Sequence, residues 1–135
     1  MATKINIKNI PTGYQSIISN GKHTIIGDEP ISSKGTDLGL APSELILSGL
    51  AMCKVGTVRF IARKNNWDIR DVNAELEQEV VRGENGLKTI VKIKMKIEGN
   101  LTEEQKTELI KQADRCYIHR LIIGEWQINE IEIIE

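Results

Sequence analysis

Two cysteines, Cys53 and Cys116, are the residues of this sequence best suited to chemistry, and the chain holds no others. A thiolate is a strong nucleophile, and two thiols that meet can form and break a disulfide. Taken singly, each cysteine is more simply explained as a small core side chain, where free cysteine is most often found. The chemistry therefore depends on whether the fold brings the two sulfurs together.

Charged side chains near the cysteines are weaker candidates for a site. His119 and Arg120 follow Cys116, and neighbouring cations favour a thiolate, although each residue alone is more simply a surface group. Glu44 lies in the first turn of a predicted helix, where the helix dipole already favours a carboxylate. The two cysteines and two histidines lack the spacing of a zinc site, so we expect no metal.

Length and charge limit the class of protein. A chain of 135 residues suits one domain over residues 1–135, and a net charge of -1 gives no electrostatic case for binding nucleic acid or an anionic membrane. No segment is expected to span a bilayer, and the first residues lack the long apolar stretch of a secretion signal. We therefore expect a cytoplasmic protein, in which a permanent structural disulfide would be unusual.

The first half of the chain predicts strands followed by one long helix. Residues 3–9 alternate between apolar and polar types, and residues 13–19 and 22–27 flank Asn20-Gly21, a strong signal for a two-residue hairpin turn. A loop rich in Gly, Pro, Ser and Asp follows. The segment 42–65 is apolar on more than one face, which is typical of a helix buried within a domain or between subunits.

The second half predicts a hairpin, a helix and a last strand. Residues 69–81 and 88–98 pair in a register that sets Glu77 opposite Lys92 and Leu76 opposite Ile93, with one charged face and one core face. Thr102 and Gln105 form a capping box for a helix that should carry Cys116 on its apolar face. Residues 126–134 alternate again. The order β-β-β-α-β-β-α-β predicts an α+β fold with a largely antiparallel sheet.

Two motifs resemble the signature of the OsmC/Ohr family. The first comprises Gly35-Thr36-Asp37, Ala41-Pro42-Ser43-Glu44-Leu45 and Leu50-Ala51-Met52-Cys53, and the second is Cys116-Tyr117-Ile118-His119-Arg120. The similarity spans roughly residues 14–135. It implies an OsmC-like fold, with largely antiparallel sheets around two helices in an intertwined homodimer. It also implies a thiol peroxidase that reduces organic hydroperoxides.

The resemblance also implies roles for particular residues. Cys53 would be the peroxidatic cysteine, Cys116 the resolving cysteine, and Glu44 the carboxylate that orients an arginine against the thiolate. That arginine comes from the N-terminal strands of the family, but this chain has none before Arg59. Leu45, Met52 and Ile122 would form an apolar substrate site. An external dithiol would restore the thiols, and no cofactor, nucleic acid or membrane partner is implied.

Other functions remain open at this point. A member of the same fold without efficient peroxidase activity could bind a small molecule or handle sulfur, and a purely structural protein would need neither thiol. The position of Glu44 is a further problem, because a regular helix would place it on the face opposite Cys53 and roughly 13 Å along the axis. If both serve one site, either Glu44 comes from a partner subunit or the helix breaks, with Gly49 as the candidate.

Overall fold

The structure is a computed structural model, and it describes residues 2–134. Its contacts divide the chain between Ser48 and Gly49 into two compact units, which are described separately below. The long helix α1, Pro42–Lys64, begins in the first unit and continues in the second. The single domain over residues 1–135 stays a prediction.

The first unit contains a three-stranded antiparallel sheet in the order β1-β2-β3. Its strands are β1 (Asn6–Asn9), β2 (Ser16–Ser19) and β3 (Thr24–Gly27). All three predicted strands are present but shorter than expected. The turn between β2 and β3 is longer than the predicted two residues, because the Asn20 side chain accepts hydrogen bonds from the amides of Lys22 and His23 at 2.9 and 2.7 Å.

Asp28 organises the loop between β3 and α1. Its buried carboxylate accepts hydrogen bonds from the amides of Tyr14, Glu29, Thr36 and Leu38, and also from the Thr36 hydroxyl. Burial by itself would raise the pKa of this carboxyl. The hydrogen bonds to its charged form together outweigh that effect and lower the pKa to about 2. The loop is therefore fixed by one ionised side chain.

Helix α1 is continuous from Pro42 to Lys64. The alternative of a break at Gly49 is therefore wrong, because a single glycine within a helix raises its energy without interrupting its hydrogen bonds. In the second unit, Val58 and Ala62 of α1 form the buried core together with Leu109 and Ala113.

Much of the apolar surface of α1 is open in this chain. Ile46, Met52 and Phe60 are all well exposed. An 18-residue window of the helix has a mean hydropathy of 1.6, so α1 is long and apolar enough to cross a membrane, contrary to the expectation above. The core helix of a soluble protein can have the same length and hydropathy. Only 22% of that window is buried, which leaves a large apolar face without cover.

The second unit contains a long antiparallel hairpin of β4 (Ile69–Gly83) and β5 (Gly86–Gly99). The predicted register is confirmed, with Glu77 opposite Lys92 and Leu76 opposite Ile93. Alternation with a period of two fixes this register, since a slip of one residue would turn the apolar face toward water.

Helix α2 (Glu103–Asp114) begins with the predicted capping box between Thr102 and Gln105. The chain then leaves the helical conformation at Arg115, and a short third helix, α3 (Tyr117–Ile123), begins after Cys116 as its N-cap. The prediction that Cys116 lies on the apolar face of the second helix is therefore wrong. A lysine side chain from α1, described below, binds the last carbonyls of α2.

The predicted strand over residues 126–134 is also wrong for the part of the chain that the structure describes. Residues 125–134 have no strand assignment, and Ile128, Ile131, Ile133 and Ile134 are almost fully exposed. A strand needs a neighbour for its amides and carbonyls, and this segment finds none in residues 2–134. The α+β class with antiparallel sheets is confirmed, with three α-helices in place of two.

Candidate functional site

The structure brings the two cysteines together in the second unit. Cys53 is half-buried on α1, Cys116 is buried where α2 meets α3, and both are free thiols. Cys53 Sγ lies against the start of α3, two residues after Cys116, and the two thiols are close enough for each to affect the protonation of the other. Two residues distant in sequence therefore form one dithiol centre.

Backbone amides at the start of α3 point at both sulfurs. The amide of Ile118 donates to Cys53 Sγ at 3.4 Å, and the amide of His119 donates to the Cys116 sulfur. These amides are available because Cys116 is the N-cap of α3 and not a residue of α2. Amide donors favour negative charge on sulfur, whereas carbonyls oppose it.

The two thiols differ in burial, and burial changes the proton affinity of Cys116. Burial raises the pKa of the Cys116 thiol, and its hydrogen bond to Cys53 raises it further, while the His119 amide and the charge of Lys54 act in the opposite direction. Cys116 therefore keeps its proton at neutral pH and can donate it to Cys53 Sγ. Cys53, the more accessible thiol, accepts a hydrogen bond from the Ile118 amide.

Lys54 is a site residue that the sequence analysis missed. Its side chain is only 2% exposed, and its ammonium donates to the carbonyl oxygens of Ala113 at 3.0 Å and Asp114 at 3.3 Å. Its third neighbour is His119 Nδ1, at 3.0 Å. A signal was present in the sequence, since Lys54 is the only charged residue between Glu44 and Arg59. A lysine in such an apolar run is buried only where it finds partners.

The bond to Lys54 determines the protonation of His119. An ammonium can only donate, so His119 Nδ1 must accept, and a neutral imidazole then carries its proton on Nε2. Each ammonium proton of Lys54 thus has one acceptor.

A cavity of about 260 Å³ lies next to this cluster. Most of its lining is apolar: Leu50, Thr89, Val91, Ile93, His119, Ile122 and Ile123. It includes Ile122, one of the three predicted substrate-binding residues. Met52, another of them, is 77% exposed and is absent from this lining. Both assignments to substrate binding stay predictions.

Glu44 and Leu45 belong to the first unit. Glu44 is exposed, and its carboxylate accepts a hydrogen bond from the amide of Ala41 at 2.9 Å, which satisfies a free donor at the start of α1. Leu45 lines a separate cavity of about 290 Å³, together with Ile18 and Gly27. The parts of Glu44 and Leu45 in a reaction stay predictions.

Among residues 2–134, no group of three or more His, Cys, Asp or Glu side chains is placed to hold a metal ion. The polar groups of the site are those already described: two thiols, an ammonium, an imidazole and backbone amides. This set can form and exchange disulfides, and it can donate hydrogen bonds to an oxygen atom.

Comparison with known proteins gives a family for these motifs. The family model described as OsmC-like protein matches residues 35–130. The matched region contains both cysteines, Lys54 and His119. The sequence has no match among the curated proteins.

Several solved structures have the same fold. An OsmC-like protein from Mycoplasma pneumoniae is similar with a TM-score of 0.74 and 21% identity, over 92% of this chain and 89% of that chain. The organic hydroperoxide resistance protein OhrB of Bacillus subtilis gives a TM-score of 0.65 and 20% identity, over 92% of each chain. An organic hydroperoxide resistance protein from Legionella pneumophila has a TM-score of 0.67 and 21% identity, over 92% of this chain and 90% of that chain. At this level of identity the likeness establishes the fold.

Proposed function

Because this chain belongs to the OsmC-like protein family, we propose that it is a thiol-dependent peroxidase that reduces organic hydroperoxides through Cys53 and Cys116. The names of the Bacillus and Legionella proteins support this substrate class. The observation that carries the proposal is the contact between the two thiols, with the Ile118 amide on Cys53 Sγ.

In the first step, the Cys53 thiolate attacks the outer oxygen of the hydroperoxide. The sulfur–oxygen bond forms as the oxygen–oxygen bond breaks, which gives a sulfenic acid on Cys53 and an alkoxide that takes a proton to become an alcohol. The more accessible thiol suits this role, because it must meet the substrate.

In the second step, the Cys116 thiol attacks the Cys53 sulfenic acid. A disulfide forms and water leaves, and an external dithiol then reduces the disulfide by thiol exchange. A protonated, buried Cys116 suits this role, since it cannot compete for the peroxide yet already lies against Cys53. No step requires a metal or an organic cofactor.

We extend the proposal to a homodimer. The open apolar face of α1 and the exposed isoleucines of residues 125–134 would both be covered by a second copy. The continuous helix α1 leaves a partner subunit as the route by which Glu44 could reach Cys53.

Thiol titration tests the peroxidase. Reduced protein treated with one equivalent of cumene hydroperoxide should lose two thiols and regain both with dithiothreitol. The Cys116→Ser variant should stop at a Cys53 sulfenic acid, which dimedone traps, and the Cys53→Ser variant should keep its thiol as the matched control. If the protein keeps both thiols after treatment with cumene hydroperoxide, the proposal is wrong.

A second candidate is an OsmC-fold protein that binds a small molecule or handles sulfur without efficient peroxidase activity. One observation favours it: all three protons of the Lys54 ammonium already have acceptors, so this cation has no spare donor for Cys53. Slow loss of a single thiol in the same titration, together with binding of an apolar molecule, would favour this candidate.

A further inference from the structure

We propose that His119 is the hydrogen-bond donor of the 260 Å³ cavity and makes it selective for apolar molecules that carry one oxygen acceptor. Lys54 acts as a positioning residue, because it holds His119 in the tautomer that donates. The inference rests on the proposed function only in identifying the ligand as a hydroperoxide and its alcohol product.

The shape and polarity of the cavity define the class of ligand. Five of its seven lining residues are Leu, Val or Ile, and besides His119 only Thr89 carries a polar side chain. An apolar cavity of about 150 Å³ is enough to hold benzene. A cavity of about 260 Å³ therefore has room for an aromatic ring with a branched substituent.

The protonation of His119 follows from the lysine beside it. Lys54 is buried and presents a proton to Nδ1 at 3.0 Å. An ammonium can only donate, so Nδ1 is the acceptor in this bond and does not itself carry a proton. With Nδ1 occupied, the ring nitrogen left for a ligand in the cavity is Nε2, and it carries the proton.

A fixed donor in an apolar cavity discriminates between ligands. A bound ligand with an oxygen acceptor satisfies Nε2–H, whereas one without it shields this donor from water and leaves it unpaired, which costs more than the bond itself is worth. A hydrocarbon of the same shape gains the apolar contacts but lacks that bond. Selectivity for an oxygen-bearing molecule is thus a property of His119, not of the apolar lining.

The cavity also lies on the side of the reactive thiol. His119 directly follows Ile118, whose amide binds Cys53 Sγ. Leu50 precedes Cys53 on α1 by about one helical turn, so the two share a face of that helix. A ligand whose oxygen binds His119 therefore has its polar end near the thiol pair.

Ligand binding to the reduced full-length protein tests the proposal without turnover. The probes are 2-phenyl-2-propanol and its isostere tert-butylbenzene, in which a methyl group replaces the hydroxyl, and the readout is the carbon-13 shift of labelled isoleucine methyls. We expect His119→Leu to weaken binding of the alcohol about tenfold and to leave the hydrocarbon within about twofold. Equal losses for the two probes would overturn the proposal.

His119→Gln is the matched variant. The glutamine amide oxygen can accept from Lys54 while its NH₂ group donates to the cavity. This variant should recover most of the alcohol binding. If it behaves like His119→Leu, the proposed donor role is wrong.

A tautomer measurement decides the matter even if His119→Leu does not fold. Nitrogen-15 spectra of the imidazole at pH 8 should show a neutral ring protonated on Nε2 in the wild type. An imidazolium, or a proton on Nδ1, would overturn the proposal. Neither experiment uses a peroxide, so a negative thiol titration would reject the peroxidase and leave this assignment standing, and the converse also holds.

Discussion

At the scale of single residues, Lys54 decides the geometry of the thiol centre. Burying an ammonium is costly unless each proton finds an acceptor, and here two carbonyls at the end of α2 and one imidazole accept. These bonds lie at the end of α2, just before the turn into α3, where the Ile118 amide faces Cys53 Sγ. The sequence identified both cysteines by type and motif. It did not give this turn, because a contact between distant residues leaves no local pattern.

Lys54→Met should test how firmly this contact holds the centre. Methionine fills similar space but leaves two carbonyls and His119 without their donor, so we expect the free energy of unfolding to fall by about 1–3 kcal/mol. Urea denaturation measures this change. Lys64→Met, at the exposed end of the same helix, is the control and should be nearly neutral. Equal stability of the two variants would show that the buried contacts contribute little.

The raised pKa of the Cys116 thiol makes stability depend on alkaline pH. An unfolded thiol titrates near about 8.5, whereas burial keeps the folded one protonated to higher pH. The neutral thiol therefore makes its full contribution to the stability of the folded state below the unfolded pKa. This contribution is lost as the pH rises through the folded pKa. The stability difference between wild type and Cys116→Ala should narrow between pH 8 and 10 in urea titrations. A constant difference over that range would contradict the assignment.

At the scale of elements, the patterns that repeat locally were the ones the sequence could predict. The register of β4 and β5 follows from strict alternation, and the start of α2 follows from its capping box. The loop after β3 shows the limit. Its composition indicates a loop, but nothing in the sequence shows that one carboxylate, Asp28, collects its amides from as far away as Tyr14.

Asp28→Asn should loosen that loop in a pH-dependent way. The lowered pKa means that the ionised carboxylate stabilises the folded loop above about pH 4, and that this contribution is lost as pH falls toward about 2. We expect the variant to be less stable than wild type at pH 7 and to lose less stability between pH 4 and 2. Acid unfolding followed by circular dichroism measures both. Asp71→Asn, an exposed aspartate on β4, should behave like wild type.

At the scale of the whole molecule, the isolated chain leaves unexplained apolar surface. Helix α1 was predicted to be buried within a domain or between subunits, yet Phe60 is 64% exposed and Ile131, in the C-terminal segment, is 95% exposed. The hydrophobic pattern of the sequence predicts that these surfaces are buried. It does not show whether the same chain or a second chain buries them. The predicted last strand failed for a related reason, since strand formation depends on a neighbouring strand, and residues 2–134 do not provide one for this segment.

The Phe60→Asp variant should show whether the exposed face of α1 is buried against a second subunit. In a monomer, a charge at this exposed position would cost little, but in a homodimer that buries α1 it would be desolvated without a partner and would weaken association by several kcal/mol. We expect the wild type to sediment as a dimer and Phe60→Asp to shift toward the monomer in analytical ultracentrifugation. Lys111→Asp, on an exposed position of α2, introduces the same side chain and should leave the dimer intact. A monomeric wild type would reject the homodimer, and with it the route that brings Glu44 to Cys53 from a partner. The contact between the two thiols would be unaffected, because both belong to one chain.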